Sequence, residues 1–341
     1  MASETQAQSP AAVVSSGSIQ RSPLRMFLYD NRRALSALAI LIVLLALFTL
    51  ANPAVFGNPV TYRSILTTLP VSIFLAVPLV FIVTGGEIDL AFPSTMGFAA
   101  WMFALAFDAG WDPFLALAAA VIIGLILGTI NGVLVVYANL SSLVATLGMN
   151  FLLRGLINIG AQGYSLAIPD LRNTFFHSLF AGRAIEMIPN QIYWALLFTL
   201  LGWFLYNRHV FGSRVHCVGD NPDSSAEMGI NVKRTRVMLF MFVGVGAALA
   251  GVFSVLINFV WWPTTGDGFL LPGLAGIFVG GTPSWGGVGT VVGGVLGATI
   301  VSIIETGVIA AGLTGFYTQF FYGLVIILSL IGHRFNGRRY R

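Results

Sequence analysis

The chain has 341 residues, 57% of them apolar and only 9% charged, against roughly 25% charged residues in an average soluble domain. That deficit excludes an ordinary cytosolic enzyme, and at about 20 apolar residues per helical crossing of a core about 30 Å thick the length holds ten crossings with no sizeable soluble domain. The net charge of +4 does not point to nucleic acid, because the basic residues sit beside apolar runs, where membrane topology accounts for them.

Residues 1–33 are polar, rich in Ser, Ala and Gln, and end with Arg21, Arg25, Arg32 and Arg33. They read as a disordered cytoplasmic tail. The apolar run 34–50 is taken as a first span rather than a cleaved signal, because the preceding tail is long and many spans follow. Further apolar stretches occupy 65–83, 94–107, 114–137, 143–160, 188–206, 237–260, 269–280, 288–311 and 316–331. The expected fold is therefore an all-α polytopic membrane protein of about ten transmembrane helices, two of them interrupted or short, over residues 34–332. A cytoplasmic loop at 207–236 and a basic tail at 333–341 complete it.

Of the 17 Lys and Arg residues, those at 21, 25, 32, 33, 208, 214, 233, 234, 236, 334, 338, 339 and 341 fall on one side of this topology. The other side carries Asp108, Asp112, Asp170, Glu186 and Asp267. The positive-inside rule then puts both termini in the cytoplasm.

Two glycine-rich breaks fall inside apolar sequence: Thr84-Gly85-Gly86-Glu87-Ile88-Asp89-Leu90 followed by Pro93, and Gly280-Gly281-Thr282-Pro283-Ser284-Trp285-Gly286-Gly287. Non-helical backbone at membrane depth needs protein or a water-filled cavity to satisfy it, so the breaks mark either a transport pathway or short loops at the cytoplasmic surface. A carboxylate at the bilayer centre costs about 2.5–3.5 kcal/mol, so Glu87 and Asp89 should face a cavity or a partner. Their spacing does not make them one acidic pair on a helix; Asp89 with Pro93 and Ser94 can equally start the next helix as a cap.

Glu305, with Ser302 and Thr306 close on the helix surface, faces either the pathway or a neighbouring span. Asn131, Asn150, Asn158, Asn258 and Gln319 serve as interhelical glue or as ligand contacts. Arg154 needs a carboxylate or carbonyl partner unless it snorkels. The substrate-pathway candidates are Glu87, Asp89, Asn150, Asn258, Glu305 and Gln319. Trp261 and Trp262 read as an interfacial aromatic belt, with stacking on a sugar face as the alternative.

In the loop 207–236, Asn221-Pro222 and Gly229 bracket a short helix over 223–228 by the ordinary start and stop signals. The loop's Gly219-Asp220-Asn221, Ala226 and Gly229-Ile230-Asn231-Val232 resemble the G-x-N…A…G-I-x-V loop of the ribose-type sugar permeases of ABC importers, a family related to the branched-chain amino acid permeases. G-G-E-I-D-L is similar to that family's G-G-I-D-L-S, and G-L-A-G-I-F-V-G-G-T to its late glycine pattern. Together the three cover about 65–331, in the family's order. The chain departs from the pattern at Glu87 and at Ala91-Phe92-Pro93, which puts the solute in question more than the fold.

The resemblance implies that 220–232 form a coupling segment docking on an ATPase subunit, with Gly219, Asp220, Asn221, Ala226, Gly229, Ile230 and Val232 as its signature. It implies a solute-binding protein and a second permease copy or paralogue as partners, set in the lipid of a bacterial inner membrane, and no nucleic acid. The chain itself carries no cofactor; ATP and Mg belong to the partner. The single Lys233 follows Val232, so no P-loop exists here, and His177, His209, His216 and His333 all lie in loops or near ends. Cys217 is the sole cysteine, which leaves no disulfide framework or cysteine metal site. The rival reading is a proton-coupled secondary transporter of a small polar solute using Glu87, Asp89 or Glu305. Pentose, hexose, polyol, nucleoside and signalling furanose all remain open as solutes.

Overall fold

The computed structural model describes residues 31–185 and 187–337. Most of the tails expected over 1–33 and 333–341, and Glu186, lie outside the described residues. In chain order the elements are α1 (Arg32–Ala51), α2 (Pro53–Phe56), α3 (Pro59–Thr84), α4 (Phe92–Asp108), α5 (Pro113–Val136), α6 (Ser142–Ala161), β1 (Leu166–Ala167), α7 (Phe175–Ala181), α8 (Asn190–Asn207), α9 (Val210–Asp220), α10 (Pro222–Glu227), α11 (Val232–Asn258), β2 (Val260–Trp261), α12 (Leu270–Val279), α13 (Val291–Ala310) and α14 (Gly315–Gly337).

Each of the ten expected spans is a helix. Among the described residues seven helices (α1, α3, α5, α6, α11, α13 and α14) are long and apolar enough to cross a membrane by themselves. The remaining three expected spans are shorter or more polar: α4 has 17 residues, α8 is polar at both ends and α12 has ten. Local chemistry sets the starts. Asn58 and Asp112 accept the amides of Val60 and Phe114 at 2.9 Å, each just before a proline that opens its helix, since proline's missing N–H costs nothing in the first turn.

The 27-residue α11 runs through the centre of the bundle, against α3, α4 and α5. Its approach to α5 is backbone to backbone: Gly124, Gly128 and Gly132, spaced by four, meet Gly244, Phe240 and Val237. A Cβ on Gly124 or on Gly244 would overlap the other's carbonyl oxygen, and small residues at such a seam let dispersion contacts replace the hydrophobic drive that lipid cannot supply. Pro78 in α3 cannot donate to the Phe74 carbonyl, and Gly246 of α11 packs against that freed oxygen.

The two interrupted spans have one cause in common. Glu87 pairs with Arg236 near the start of α11, yet Met96 already packs against Gly251. Between those two points α11 rises about 22 Å at 1.5 Å per residue, whereas nine helical residues would cover only about 14 Å. The chain closes the difference with the non-helical residues 87–91 before α4 begins, so α4 starts inside the bundle. At the far end of α11 the chain turns back inward. Gly266 reaches the Pro93 carbonyl and Thr265 reaches Gly97, so the ten-residue α12, about 15 Å long, also begins within the bundle and covers half of a roughly 30 Å core.

The inward turn is held by named contacts. Trp261 is fully buried, stacks on Trp101 at 5.5 Å and donates its indole N–H to the Gly97 carbonyl at 2.9 Å. Arg154 of α6 donates to the carbonyls of Pro263 and Thr265 and pairs with Asp267, so it finds both kinds of partner its position demands. β1 pairs antiparallel with β2, Leu166 opposite Trp261. A structural role therefore accounts for Trp261, while Trp262 stays partly exposed.

Candidate functional site

Both glycine breaks and the polar loop meet at one place. α3 ends at Thr84 and turns through Gly86 at φ +83°; α12 ends at Val279 and turns through Gly281 at +94°, with Gly286 and Gly287 at +85° and +76°. Only glycine adopts such backbone without strain. The Gly287 N–H donates to the Thr84 carbonyl at 2.8 Å, joining one break to the other. Gly219 of α9 closes the junction: a Cβ on it would overlap the Thr84 carbonyl oxygen and lie 2.7 Å from the Gly287 nitrogen. His216, one turn earlier on α9, sets its Nδ1 3.0 Å from the Gly287 carbonyl. Beneath lies a buried hydroxyl pair, Thr84 Oγ1 and Tyr206 Oη at 2.8 Å, with Gly289 against both.

α9 is a helix inside the loop expected over 207–236. Phe211, Val215 and Val218, at spacings of four and three, turn inward with Gly212; that periodicity is the signal that identifies it. Gly219 and Asp220 close α9, and Asn221 leads into α10. The Asn221 side chain accepts from Ser224 N at 3.0 Å, and the Ser225 hydroxyl donates to the Asn221 carbonyl at 2.7 Å. At the other end Gly229 N–H bonds the Ala226 carbonyl and Ile230 N–H the Ser225 carbonyl, with Gly229 at φ +81°. That paired closure is a Schellman motif. Asn231 then caps α11 by accepting from Arg234 N at 2.9 Å. The six-residue α10 is thus locked at both ends, and Asp223, Ala226, Glu227 and Met228 are exposed.

Among the pathway candidates, Glu87 is only 7% exposed and its Oε1 lies 3.1 Å from Arg236 Nε. Asp89 is buried; its Oδ1 accepts the Ala91 N–H at 2.6 Å just ahead of α4, where an anion suits the start of a helix. The N–H groups of Ile88 and Leu90 go to the hydroxyls of Ser142 and Thr146 at 3.4 and 2.9 Å, so α6 satisfies the non-helical backbone. Asn131 of α5 is buried facing Asp89, with no well-formed hydrogen bond of its own amide.

The structure does not bring the other candidates to this junction. Asn150 accepts from the Ser94 hydroxyl at 2.6 Å, tying α4 to α6. Asn258 donates back to Ser254 at the end of α11. Glu305 stands about 21 Å along α13 from Val291, exposed at the surface of the single chain, with the Tyr322 hydroxyl 3.4 Å away. Gln319 is on the exposed face of α14.

A further polar feature of α3 escapes a reading confined to charges. Ser64, Thr68 and Ser72 recur at a spacing of four, and Ser64 and Thr68 are exposed. Ser72 and Val301 line one small cavity between α3, α12 and α13. From that point α3 carries Thr68 and Ser64, and antiparallel α13 carries Glu305, toward the same end of the bundle. That end of the bundle therefore carries both a hydroxyl stripe and a carboxylate.

The chain matches the family described as "Branched-chain amino acid transport system / permease component" over residues 61–330, a range that contains all three motifs and both interrupted spans. It is 30% identical over 316 residues to the autoinducer 2 import system permease protein LsrC of Yersinia pseudotuberculosis serotype O:3 (strain YPIII), which covers 92% of this chain and 86% of the relative. LsrC of Yersinia pestis (strain Pestoides F) matches at the same identity and coverage.

Proposed function

Because this chain belongs to the branched-chain amino acid transport system permease family and is a permease subunit of an ABC importer, we propose that it carries a sugar-like polar solute inward by alternating access, driven through α10. It is a multi-pass inner-membrane protein whose family works with an ATPase and a solute-binding protein. The observation that carries the coupling assignment is the rigid, doubly closed α10 mounted directly on Gly219. In this reading α10 docks on the ATPase, which holds ATP and Mg, and any displacement of α10 passes through α9 into both glycine breaks at once. The termini and the α9–α10 segment then face the cytoplasm, as the distribution of basic residues requires.

Glu305 supports a second permease copy or paralogue. A carboxylate facing hydrocarbon is costly, and in the single chain Glu305 is exposed; a partner permease across this face encloses it in a polar pathway with Ser64, Thr68 and Ser72. Hydroxyls suit a solute rich in hydroxyl groups, and the likeness to an autoinducer 2 import permease favours that class. The proton-carrier reading has no support at the junction, because Glu87 is ion-paired and Asp89 caps α4.

The test is uptake in vesicles holding the permease with its ATPase and solute-binding protein. Ala226→Arg should abolish uptake while the permease remains inserted; normal uptake overturns the coupling assignment. Binding of pentoses, hexoses, polyols, nucleosides and furanoses to the partner solute-binding protein identifies the solute.

A further inference from the structure

Beside α10, where α9 and α11 begin, lies a cleft of about 330 Å³ lined by His209, Val210, Phe211, Arg214, Arg234 and Met238. Its chemistry is two-sided. Arg214 and Arg234 are exposed, and among the described residues neither guanidinium has a carboxylate partner. His209 accepts the Phe211 N–H on Nδ1 at 3.1 Å, which leaves its proton on Nε2 and makes the free side of the ring a donor. The cleft thus offers donors and positive charge beside apolar side chains. Asn231 and Thr235 also line it, with Asn231 Oδ1 taken up by the Arg234 N–H and the Thr235 hydroxyl by the Asn231 carbonyl; Val210, Phe211 and Met238 supply its apolar lining, and Val210 and Met238 stay open to the surroundings.

The level of the cleft along the bundle is marked by its neighbours. Arg208 lies over the Trp203 ring at 6.0 Å and Lys233 over the Tyr137 ring at 5.5 Å. Paired aromatic and cationic side chains of this kind sit where hydrocarbon gives way to headgroups. Water-soluble anions have no use for the apolar part of the lining, and an acyl chain alone has none for the guanidiniums. A phospholipid uses both.

We infer that this cleft binds the phosphate of an anionic phospholipid of the adjoining leaflet, with Arg214, Arg234 and His209 holding the headgroup and Val210, Phe211 and Met238 covering the start of its acyl chains. The site is separate from the solute pathway and from the exposed face of α10. It anchors the first turns of the two helices that flank the coupling segment.

The full chain, purified in detergent, is titrated with phosphatidylglycerol and with phosphatidylcholine, and bound lipid is counted by native mass spectrometry. Wild-type protein should retain phosphatidylglycerol in preference to phosphatidylcholine. The Arg214→Gln/Arg234→Gln variant should bind phosphatidylglycerol roughly thirtyfold more weakly, as expected when two basic side chains near a headgroup are lost. Arg172→Gln/Arg183→Gln, the same charge change outside the cleft, should bind like wild type. Equal retention of the two lipids, unchanged binding by the cleft variant, or equal weakening by the control overturns the site. Displacement of phosphatidylglycerol by millimolar inorganic phosphate assigns it to a soluble anion instead and also overturns the proposal. Both arginines are exposed, so a folded variant is expected, and its elution as a single symmetric species confirms that loss of lipid is not loss of fold.

Discussion

Gly219 of α9 touches the carbonyl of Thr84 at the end of α3 so closely that no side chain fits between them. Through that contact the helix that leads into α10 rests on backbone rather than on flexible side chains. Motion at α10 therefore has a stiff route into the bundle.

Gly219→Ala should consequently disturb both stability and coupling. The added methyl meets main-chain atoms of Thr84 and Gly287, which cannot rotate away as a side chain could, and overpacking of this kind costs about 1–3 kcal/mol. A lowered melting temperature for the detergent-solubilised chain, together with ATP hydrolysis uncoupled from uptake in the reconstituted complex, is the expected result. Gly148→Ala, where a Cβ meets nothing within 4 Å, is the control and should be neutral or slightly stabilising.

The Glu87–Arg236 pair should respond unequally to removal of its two ends. Glu87 is nearly buried, whereas the Arg236 side chain is 28% exposed. Arg236→Gln strands a carboxylate in the protein and should cost up to about 3 kcal/mol; Glu87→Gln leaves a cation that can reach water and should cost about 1 kcal/mol. Chemical denaturation of both single variants and the double variant measures the coupling directly. Equal losses would show that Glu87 reaches water by another route.

For Asp89, the amide of asparagine keeps an oxygen acceptor for the Ala91 N–H, so Asp89→Asn should preserve the fold and transport. Asp89→Leu removes the acceptor and leaves the start of α4 unsatisfied inside the bundle, at a cost of about 1–3 kcal/mol. Thermal unfolding of the two variants distinguishes the outcomes. Transport lost in Asp89→Asn with stability intact would instead make the charge itself functional.

Glu305→Gln should leave the stability of the isolated chain within about 0.5 kcal/mol, the usual range for an exposed substitution, since Glu305 makes one long contact with Tyr322. Solute uptake by the assembled transporter should fall. Unchanged uptake overturns the proposal that Glu305 faces the pathway.

How much of this was legible beforehand differs from element to element, and for physical reasons. Apolar run length and basic residues at one side are local quantities, and they determined ten helices and their expected orientation without any contact being known. The caps of α10 were equally local: Asn221-Pro222 before it and Gly229 after it suffice, because each satisfies backbone groups within four residues. The three motifs could be aligned with a family, but nothing in their spacing says that they touch. Only the tertiary structure decided that, since Gly219, Thr84 and Gly287 come together from three segments far apart in the chain. It also decided that residues 87–91 leave the helical path inside the bundle, because the register of α4 on α11 is a matter of which glycine lies against Met96. Charge at Glu87, Asp89 and Glu305 was visible from the start; whether each faces a partner, a helix end or open surface depended on neighbours supplied by distant segments.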